Sequence, residues 1–249
     1  MPNPWDVGSA KLLVSLGFAA LATTSAGHAA SIGKLDSQVS FDELLEHAAL
    51  IAGSVDVPVN VDSERLFAAT PDGVAANVGL IAETGAAGCS IEDWDPATST
   101  IDTIEAATER VAAASEAAES HGLVLTARAE NHIRGVDDID DTIARLRAYR
   151  AAGAHVVYAP GLLQLDVISH LVRSVEAPVN VLSFVATGPS VPELAAVGVR
   201  RVSTGGSLAM AAYGALVAGA RELIESGTSQ YVAKRISGAD LRAAMTPRS

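Results

Sequence analysis

The chain has a single cysteine, Cys89, among its 249 residues, and its basic residues are far fewer than its acidic ones. One cysteine excludes a disulfide framework and any zinc or iron–sulfur site built on several thiolates. Seventeen Lys and Arg against 29 Asp and Glu give a formal net charge of −12, which repels nucleic acid and anionic membranes alike. We therefore predict a cytoplasmic protein with neither a nucleic-acid partner nor a membrane partner.

Charged residues are also missing between Lys11 and Lys34. The apolar run 12–22 and the small residues at 26–29 imitate a signal peptide and its cleavage site. However, the preceding residues carry an acid against a single lysine, and small residues fill much of the run, which argues against export and against a spanning helix. The alternative is a buried strand over residues 18–23, and repeats along the chain favour this interpretation.

Short β-prone runs follow glycines at positions 17, 85, 153 and 198, and the first three glycines are 68 residues apart. That interval holds two βα units of roughly 30 to 35 residues. The string Pro-Val-Asn-Val recurs 120 residues apart, at 58–61 and 178–181, which corresponds to four such units. These repeats predict an α/β fold, a TIM-type (β/α)8 barrel formed by a single domain over 1–249.

Within this domain, residues 1–205 are expected to supply the barrel strands and helices, and 206–249 the last barrel helix and an additional C-terminal helix. Only Met1-Pro2-Asn3 precede the first helix, so the first strand is expected to be short or missing. The other strands are predicted at 18–23, 57–62, 85–91, 123–128, 154–159, 178–182 and 199–204. Helices are predicted near 40–54, 70–84, 102–121, 136–152, 164–175, 189–197, 206–226 and 229–245.

Carboxylates follow four consecutive predicted strands, at the strand ends where barrel enzymes carry their chemistry. Like charges brought this close repel unless a cation is present, and an all-oxygen ligand set suits Mg²⁺ or Mn²⁺. The pattern predicts a divalent-metal site, although each acid could instead cap a helix or pair with an arginine. The acids, in chain order, are Asp36, Asp62, Glu64, Glu92, Asp93 and Glu130.

Three further features at these strand ends have two interpretations each. Arg128 could pair with Glu130 or Glu92, or it could hold a substrate carboxylate beside the metal. The small residues 23–27 could present backbone N–H groups to an anion, or simply form a turn. His132 could act as an acid–base group or remain a structural residue of its loop.

Five segments, in matching order and spacing over nearly the whole chain, resemble the isocitrate lyase/phosphoenolpyruvate mutase superfamily. The resemblance implies an α/β barrel that binds Mg²⁺ and stabilises the enolate of a 2-oxo acid while a C–C or P–C bond is made or broken. The segments are Asn3-Pro4-Trp5-Asp6-Val7-Gly8-Ser9-Ala10, Thr23-Thr24-Ser25-Ala26-Gly27 with Ser31-Ile32-Gly33, Val61-Asp62-Ser63-Glu64, Ser90-Ile91-Glu92-Asp93 and Thr126-Ala127-Arg128.

The resemblance also implies roles for individual residues and for the end of the chain. Arg128 and Glu92 become the candidate catalytic residues. The superfamily exchanges its final helix between paired subunits, so a homodimer or homotetramer built through 206–245 is expected. By position, Asp62 and Glu64 correspond to the metal-binding acids, Asp36 and Glu92 to the acids that hold the metal's waters, and Thr24, Ser25, Ala26, Arg128 and Asn180 to the substrate-binding residues.

The chain departs from the superfamily pattern at three places. The loop 93–100 contains no cysteine, and Cys89 is predicted to be buried and inert, so isocitrate lyase and methylisocitrate lyase activities are not expected. Pro160 stands where the phosphonate-handling members have a histidine, which argues against mutase chemistry. The turn 65–68 replaces a glycine-rich turn and is expected to fill part of the pocket.

These observations predict a Mg²⁺-dependent enzyme that acts on a small 2-oxo acid, carboxylate or phosphonate through an enolate. The alternative is a catalytically silent member of the superfamily that binds a small carboxylate as a sensor or persists as a scaffold. Mg²⁺-dependent turnover would support the enzyme, whereas oxalate binding without turnover would support the binding protein.

Overall fold

The computed structural model describes residues 1–246, in which helices surround a seven-stranded parallel sheet. The sheet order is β1-β2-β3-β6-β7-β8-β9, and β4 and β5 form a separate antiparallel hairpin. In chain order the strands are β1 Leu21–Ala22, β2 Val59–Val61, β3 Gly88–Glu92, β4 Trp94–Asp95, β5 Thr100–Ile101, β6 Val124–Arg128, β7 Val156–Tyr158, β8 Val179–Leu182 and β9 Arg201–Ser203.

The first residues of the chain lie in the gap between β1 and β9. The Pro2 carbonyl accepts a hydrogen bond from the Ala22 N–H at 3.1 Å, and the Met1 amino group donates to the Val202 carbonyl at 2.8 Å. The Asn3 side chain bonds to backbone groups that follow both strands. The sheet is thus nearly closed, and the predicted TIM-like α/β barrel is confirmed; residues 1–3 form no assigned strand, in line with the expectation that the first strand is short or missing.

The helices of the described residues alternate with the strands, as the repeat pattern predicts. Ser40 and Glu43 form the expected capping box of α3, and Thr70 caps α4 with Pro71 in its first turn. The α-helices are α1 Val7–Ser15, α2 Ser25–Ser31, α3 Phe41–Ala52, α4 Pro71–Glu83, α5 Ile104–His121, α6 Ile139–Ala151, α7 Leu165–Ser174, α8 Val191–Ala196, α9 Ser207–Ser226 and α10 Gly238–Met245.

The glycine repeat has a direct structural cause. Gly17, Gly85, Gly153 and Gly198 follow α1, α4, α6 and α8, and their φ angles lie between 81° and 103°. This backbone conformation is unfavourable for residues with a Cβ, so glycine marks the turn from helix to strand. The two Pro-Val-Asn-Val strings contribute to β2 and β8, which lie four strands apart in the sheet.

Three local predictions need correction. The strand expected over 18–23 is limited to Leu21–Ala22, because only these two residues pair with β2, and Phe18 is exposed in the preceding turn. The helix expected over 229–245 is split into a 3₁₀ turn, Gln230–Lys234, and α10, because Arg235 is extended and Ser237 caps a new helix. The short helix α2 and the β4–β5 hairpin were not expected.

The helix α9 is poorly covered by the rest of the described chain. Only Ala209 and Gly219 of its 20 residues are buried. By length and composition alone α9 could cross a membrane, with a mean hydropathy of 1.2. The following helix α10 packs against α1 of the same chain, so an exchange between subunits is not shown. Residues 247–249 of the predicted segment 206–249 lie outside the described residues.

Candidate functional site

A cavity of about 230 Å³ opens at the carboxyl ends of the strands and extends into the barrel. Its position agrees with the strand-end rule for barrel enzymes. All the residues to which the resemblance assigns a metal or substrate role line this one cavity: Thr24, Ser25, Ala26, Asp36, Asp62, Glu64, Glu92, Arg128 and Asn180.

Arg128, the last residue of β6, is the centre of the polar network in this cavity. Its Nη1 lies 2.9 Å from Asp62 Oδ1, and its Nη2 lies 3.1 Å from Glu92 Oε2 and 2.9 Å from Glu130 Oε1. The guanidinium also lies 5.2 Å from the centre of the Tyr158 ring. Arg128 therefore pairs with both acids that the sequence offered as partners, and with a third.

The carboxylates exceed the positive charge available to them. Burial raises the pKa of Glu92 and of Glu130, and neighbouring acids raise both further, although the Arg128 guanidinium opposes the shifts. Burial also raises the pKa of Glu64 to about 7, with added contributions from Asp62 and Asp36. A cation bound in this cavity would relieve the repulsion among these acids.

Asp62 and Glu64 differ in how they are held. The Ser25 N–H donates to Asp62 Oδ2 at 3.1 Å, and the Ser90 hydroxyl donates to Asp62 Oδ1 at 3.4 Å. By contrast, Glu64 Oε1 is buried and has no hydrogen-bond partner among the described residues. An unpartnered buried carboxylate oxygen is costly, so it is a suitable ligand for a cation.

The donor set fits Mg²⁺ held largely through water. No group of three or more His, Cys, Asp or Glu side chains in residues 1–246 is arranged to hold an ion directly. Mg²⁺ keeps several waters and binds proteins through one or two carboxylates. All four acids line the same cavity, so Asp62 and Glu64 could be direct ligands while Asp36 and Glu92 bind waters of the ion.

Asp93 was expected at the rim with the other acids, and this prediction is wrong. Adjacent strand residues point to opposite faces, so Asp93 turns away from the cavity that Glu92 lines. Its carboxylate accepts hydrogen bonds from the Tyr149 hydroxyl at 2.6 Å, from Arg145 at 3.2 Å and from the Glu130 N–H at 2.9 Å. Asp93 is therefore structural, and it fixes the backbone at Glu130.

The turn 65–68 does not fill the pocket, contrary to expectation. Arg65 forms a bidentate ion pair with Asp102, with its Nη2 2.8 and 2.7 Å from the two carboxylate oxygens, and Leu66 is fully buried in the core. Arg110 Nη2 and Asn77 Nδ2 donate to the carbonyls of Arg65 and Leu66. Two residues of the turn have positive φ, Leu66 at 60° and Phe67 at 51°, and so does Glu64 just before it, at 47°.

The surroundings of two further candidate residues, His132 and Asn180, differ from those expected. His132 does not line the cavity; its ring contacts Thr142 Oγ1 at 3.2 Å and Asp137 at 3.3 Å, so its possible acid–base role in this cavity is not supported. Asn180 lines the cavity but is already hydrogen-bonded to Ser203 and Arg201.

Sequence reasoning missed Arg201 and Tyr158, which also line the cavity. Strand alternation indicates that Arg200 and Arg201 lie on opposite faces of β9, but it does not tell which of the two lines the cavity.

Cys89 is fully buried in β3, and burial raises the pKa of its thiol to about 12. Because the thiolate is the reactive form, alkylation by iodoacetamide at pH 8 should be undetectable in the folded protein and rapid in urea. Mass spectrometry would measure the labelling. The variant Cys89→Ala should keep the metal affinity of the wild type; fast labelling of native protein, with loss of activity, would contradict the prediction.

Comparisons with known proteins show which family the chain matches. The family model for phosphoenolpyruvate phosphomutase matches residues 1–224. A 2-methylisocitrate lyase of Escherichia coli (strain K12) is 29% identical over 193 residues, which cover 73% of this chain and 64% of that protein.

Two solved structures share the fold. A candidate lyase/mutase from Burkholderia cenocepacia J2315 has a TM-score of 0.93 and 47% identity, covering 97% of this chain and 89% of that chain. A phosphonopyruvate hydrolase in complex with oxalate and Mg²⁺ has a TM-score of 0.83 and 24% identity, covering 98% of this chain and 88% of that chain.

Relatives with named activities include a phosphomutase family and a lyase, which supports an enzymatic role for the chain. The match extends over both the barrel strands and the acids at their carboxyl ends. The chain belongs to the phosphoenolpyruvate phosphomutase family, and so to the phosphoenolpyruvate mutase/isocitrate lyase superfamily.

Proposed function

We propose that the chain is a Mg²⁺-dependent enzyme that acts on a small 2-oxo acid, or on a related carboxylate or phosphonate, through an enolate. The reaction would make or break a C–C or P–C bond, as the superfamily resemblance implies. The observation that supports this proposal most strongly is the meeting of Asp36, Asp62, Glu64 and Glu92 with Arg128 in a single cavity at the strand ends.

A Mg²⁺ ion bound to these acids would supply the positive charge that stabilises an enolate oxygen. The chain's own groups prepare the position. Asp62 is fixed from three sides by the Ser25 N–H, the Ser90 hydroxyl and Arg128. The near-complete burial of Glu92 strengthens electrostatic interactions at this end of the barrel, because little water is present to screen them.

Arg128 would bind a substrate carboxylate by exchanging two of its present partners, Asp62 and Glu92. Its Nη1 and Nη2 already contact Asp62 and Glu92, while its Nε donates to Glu130 at 3.0 Å. An incoming carboxylate could take the Nη groups if the two displaced acids turned to the metal and its waters. Glu130 would then keep the guanidinium oriented through Nε.

Mg²⁺-dependent oxalate binding tests this proposal. Calorimetric titration of oxalate, which resembles a 2-oxo acid enolate, should show binding in the presence of Mg²⁺ and none in EDTA. A screen of 2-oxo acids, 2-hydroxy acids and 3-phosphonopyruvate should then show turnover that EDTA abolishes. No oxalate binding with Mg²⁺ present would refute the site.

A binding protein without turnover is the second candidate. Two observations favour it. Loop 93–100 contains neither a cysteine nor a lysine that could act as an acid–base group, and His132 lies outside the cavity. Mg²⁺-dependent oxalate binding, without turnover in the same screen, would select this candidate over the enzyme.

We also propose a cytoplasmic homodimer or homotetramer that covers α9. In the single chain, several large apolar side chains of α9 are exposed to solvent; the exposed fractions of Leu216 and Ile224 are 66% and 85%. Such a contiguous apolar face is typical of a subunit contact. α9 is rich in glycine and alanine and carries the charged residues Arg221, Glu222 and Glu225. This composition suits packing against another protein surface better than contact with lipid.

Light scattering at micromolar concentration should therefore give at least twice the mass of the 25.4 kDa chain. Two charges on the exposed face, Leu216→Glu with Ile224→Glu, should convert the oligomer to a monomer, because each would be buried unpaired. Leu80→Glu, at an exposed leucine of α4, is the matched control and should leave the mass unchanged. A monomeric wild-type protein would contradict this proposal.

A further inference from the structure

Arg201 is a cation inside the barrel that the proposed chemistry does not use. It is the first residue of β9, and its side chain lines the cavity, whereas the adjacent Arg200 is exposed. Its guanidinium reaches across the barrel: Nε donates to Asn180 Oδ1 at 2.9 Å, and Nη2 donates to Thr126 Oγ1 at 2.8 Å.

Both of these partners are neutral. Arg128 has three carboxylates around it and Arg134 lies 3.7 Å from Glu130, but no carboxylate of residues 1–246 forms an ion pair with Arg201. A guanidinium has five N–H donors, so two hydrogen bonds leave three donors free. Burial lowers the pKa of Arg201 to about 10, so the group stays charged at neutral pH and its charge lacks compensation.

The cavity therefore has two electrically different ends. The acids Asp62, Glu64 and Glu92 lie at the ends of β2 and β3, near the mouth. Arg201 lies on the opposite arc of the sheet and bonds to Thr126, which precedes Arg128 by two residues on the same face of β6. The Arg201 cation and these acids therefore approach the cavity from opposite sides of the sheet.

We propose that Arg201 binds a second anionic group of the substrate, a distal carboxylate or phosphonate. This inference rests on the proposed function, which places the 2-oxo acid end among the acids and their metal. Asn180 then acts as a positioning residue, because its amide oxygen orients the Arg201 guanidinium while its amide nitrogen donates to Ser203.

Three stable 2-hydroxy acids isolate the distal group. Lactate, malate and 3-phosphonolactate share one end and differ in carrying no distal anion, a carboxylate or a phosphonate. In calorimetric titrations of the Mg²⁺-loaded wild type, malate or 3-phosphonolactate should bind about tenfold tighter than lactate, or more, through charge-assisted hydrogen bonds. The better of the two identifies the distal group.

Arg201→Gln should remove this preference, because it lowers the affinity for malate or 3-phosphonolactate much more than the affinity for lactate. Arg200→Gln, which alters the exposed neighbour on the same strand, should keep the preference. Arg201→Lys retains the charge but lacks the planar guanidinium with its paired N–H donors, so it should keep part of the preference. This variant replaces the glutamine variant in the test if the latter fails to fold. Thermal melting would establish that each variant is folded.

Two results would overturn the inference: a wild type that binds malate and 3-phosphonolactate no tighter than lactate, or an Arg201→Gln variant that loses lactate affinity to the same extent. Oxalate separates this failure from failure of the proposed function. If oxalate binds with Mg²⁺ but the preference is absent, only the role of Arg201 is refuted. If oxalate does not bind, the metal site itself is refuted.

Discussion

Replacing Arg128 with methionine is expected to lower the free energy of unfolding by about 3 to 5 kcal/mol. The guanidinium lies within 3.1 Å of carboxylate oxygens of Asp62, Glu92 and Glu130, and methionine would leave these acids facing one another with little water between them. Urea unfolding followed by circular dichroism gives the value directly. Oxalate binding should be lost at the same time if Arg128 holds the substrate carboxylate as proposed.

The pH dependence of this deficit separates charge from packing. Without Arg128 the pKa of the Glu130 carboxyl, already raised by burial, should rise further above its unfolded value. A carboxyl with a raised folded pKa stabilises the folded state at low pH, and that contribution is lost as the pH rises. The stability gap between wild type and variant should therefore narrow from pH 8 to pH 5.

Arg134→Met is the matched control for stability. Arg134 lies 3.7 Å from the Glu130 carboxylate and is partly exposed, so its removal should cost less than about 1 kcal/mol. Equal losses in the two arginine variants, or a gap that does not change with pH, would show that Arg128 does not balance the buried acids.

The second large effect is expected at Asp62, where Asp62→Asn should abolish measurable Mg²⁺ binding. Asp62 and Glu64 are two residues apart and line the same cavity, so together they can offer one ion two carboxylates. The amide keeps nearly the same shape but loses the charge. Because the substitution also reduces charge repulsion with Glu64, the melting temperature of the variant should be at most a few degrees below that of the wild type.

Asp56→Asn provides the control for general charge effects. Asp56 is an exposed acid just before β2, at the opposite end of the strand that leads to Asp62. Its replacement changes the net charge by the same amount and should leave Mg²⁺ affinity unchanged. An Asp62→Asn protein that still binds Mg²⁺ with wild-type affinity in a calorimetric titration would remove Asp62 from the metal site.

The barrel was predictable because its signals are local and periodic. Glycine at 85 and 153 marks a positive-φ turn between helix and strand, and Ser40 with Glu43 marks a helix start. Strand lengths were less accessible, since Leu21–Ala22 ends where its pairing with β2 ends. That pairing depends on a segment far along the chain, which no local pattern specifies.

The cavity was predicted by residue type, but the partners of each residue were not. Glu92 and Asp93 are adjacent acids, and only the face of β3 decides that one lines the cavity while the other bonds to Tyr149. Arg200 and Arg201 present the same problem on β9. A pair of like residues carries no information on which member is buried, because that depends on the register with the neighbouring strand.

The positive φ angles of Glu64, Leu66 and Phe67 mean that the backbone beside the candidate metal ligand is strained. Residues with a Cβ in this conformation cost on the order of 1 kcal/mol each, and they persist where surrounding contacts enforce them. Here the side chains of Arg110 and Asn77 donate hydrogen bonds to carbonyl groups of the turn. We therefore expect the backbone at Glu64 to keep its position whether or not an ion is bound.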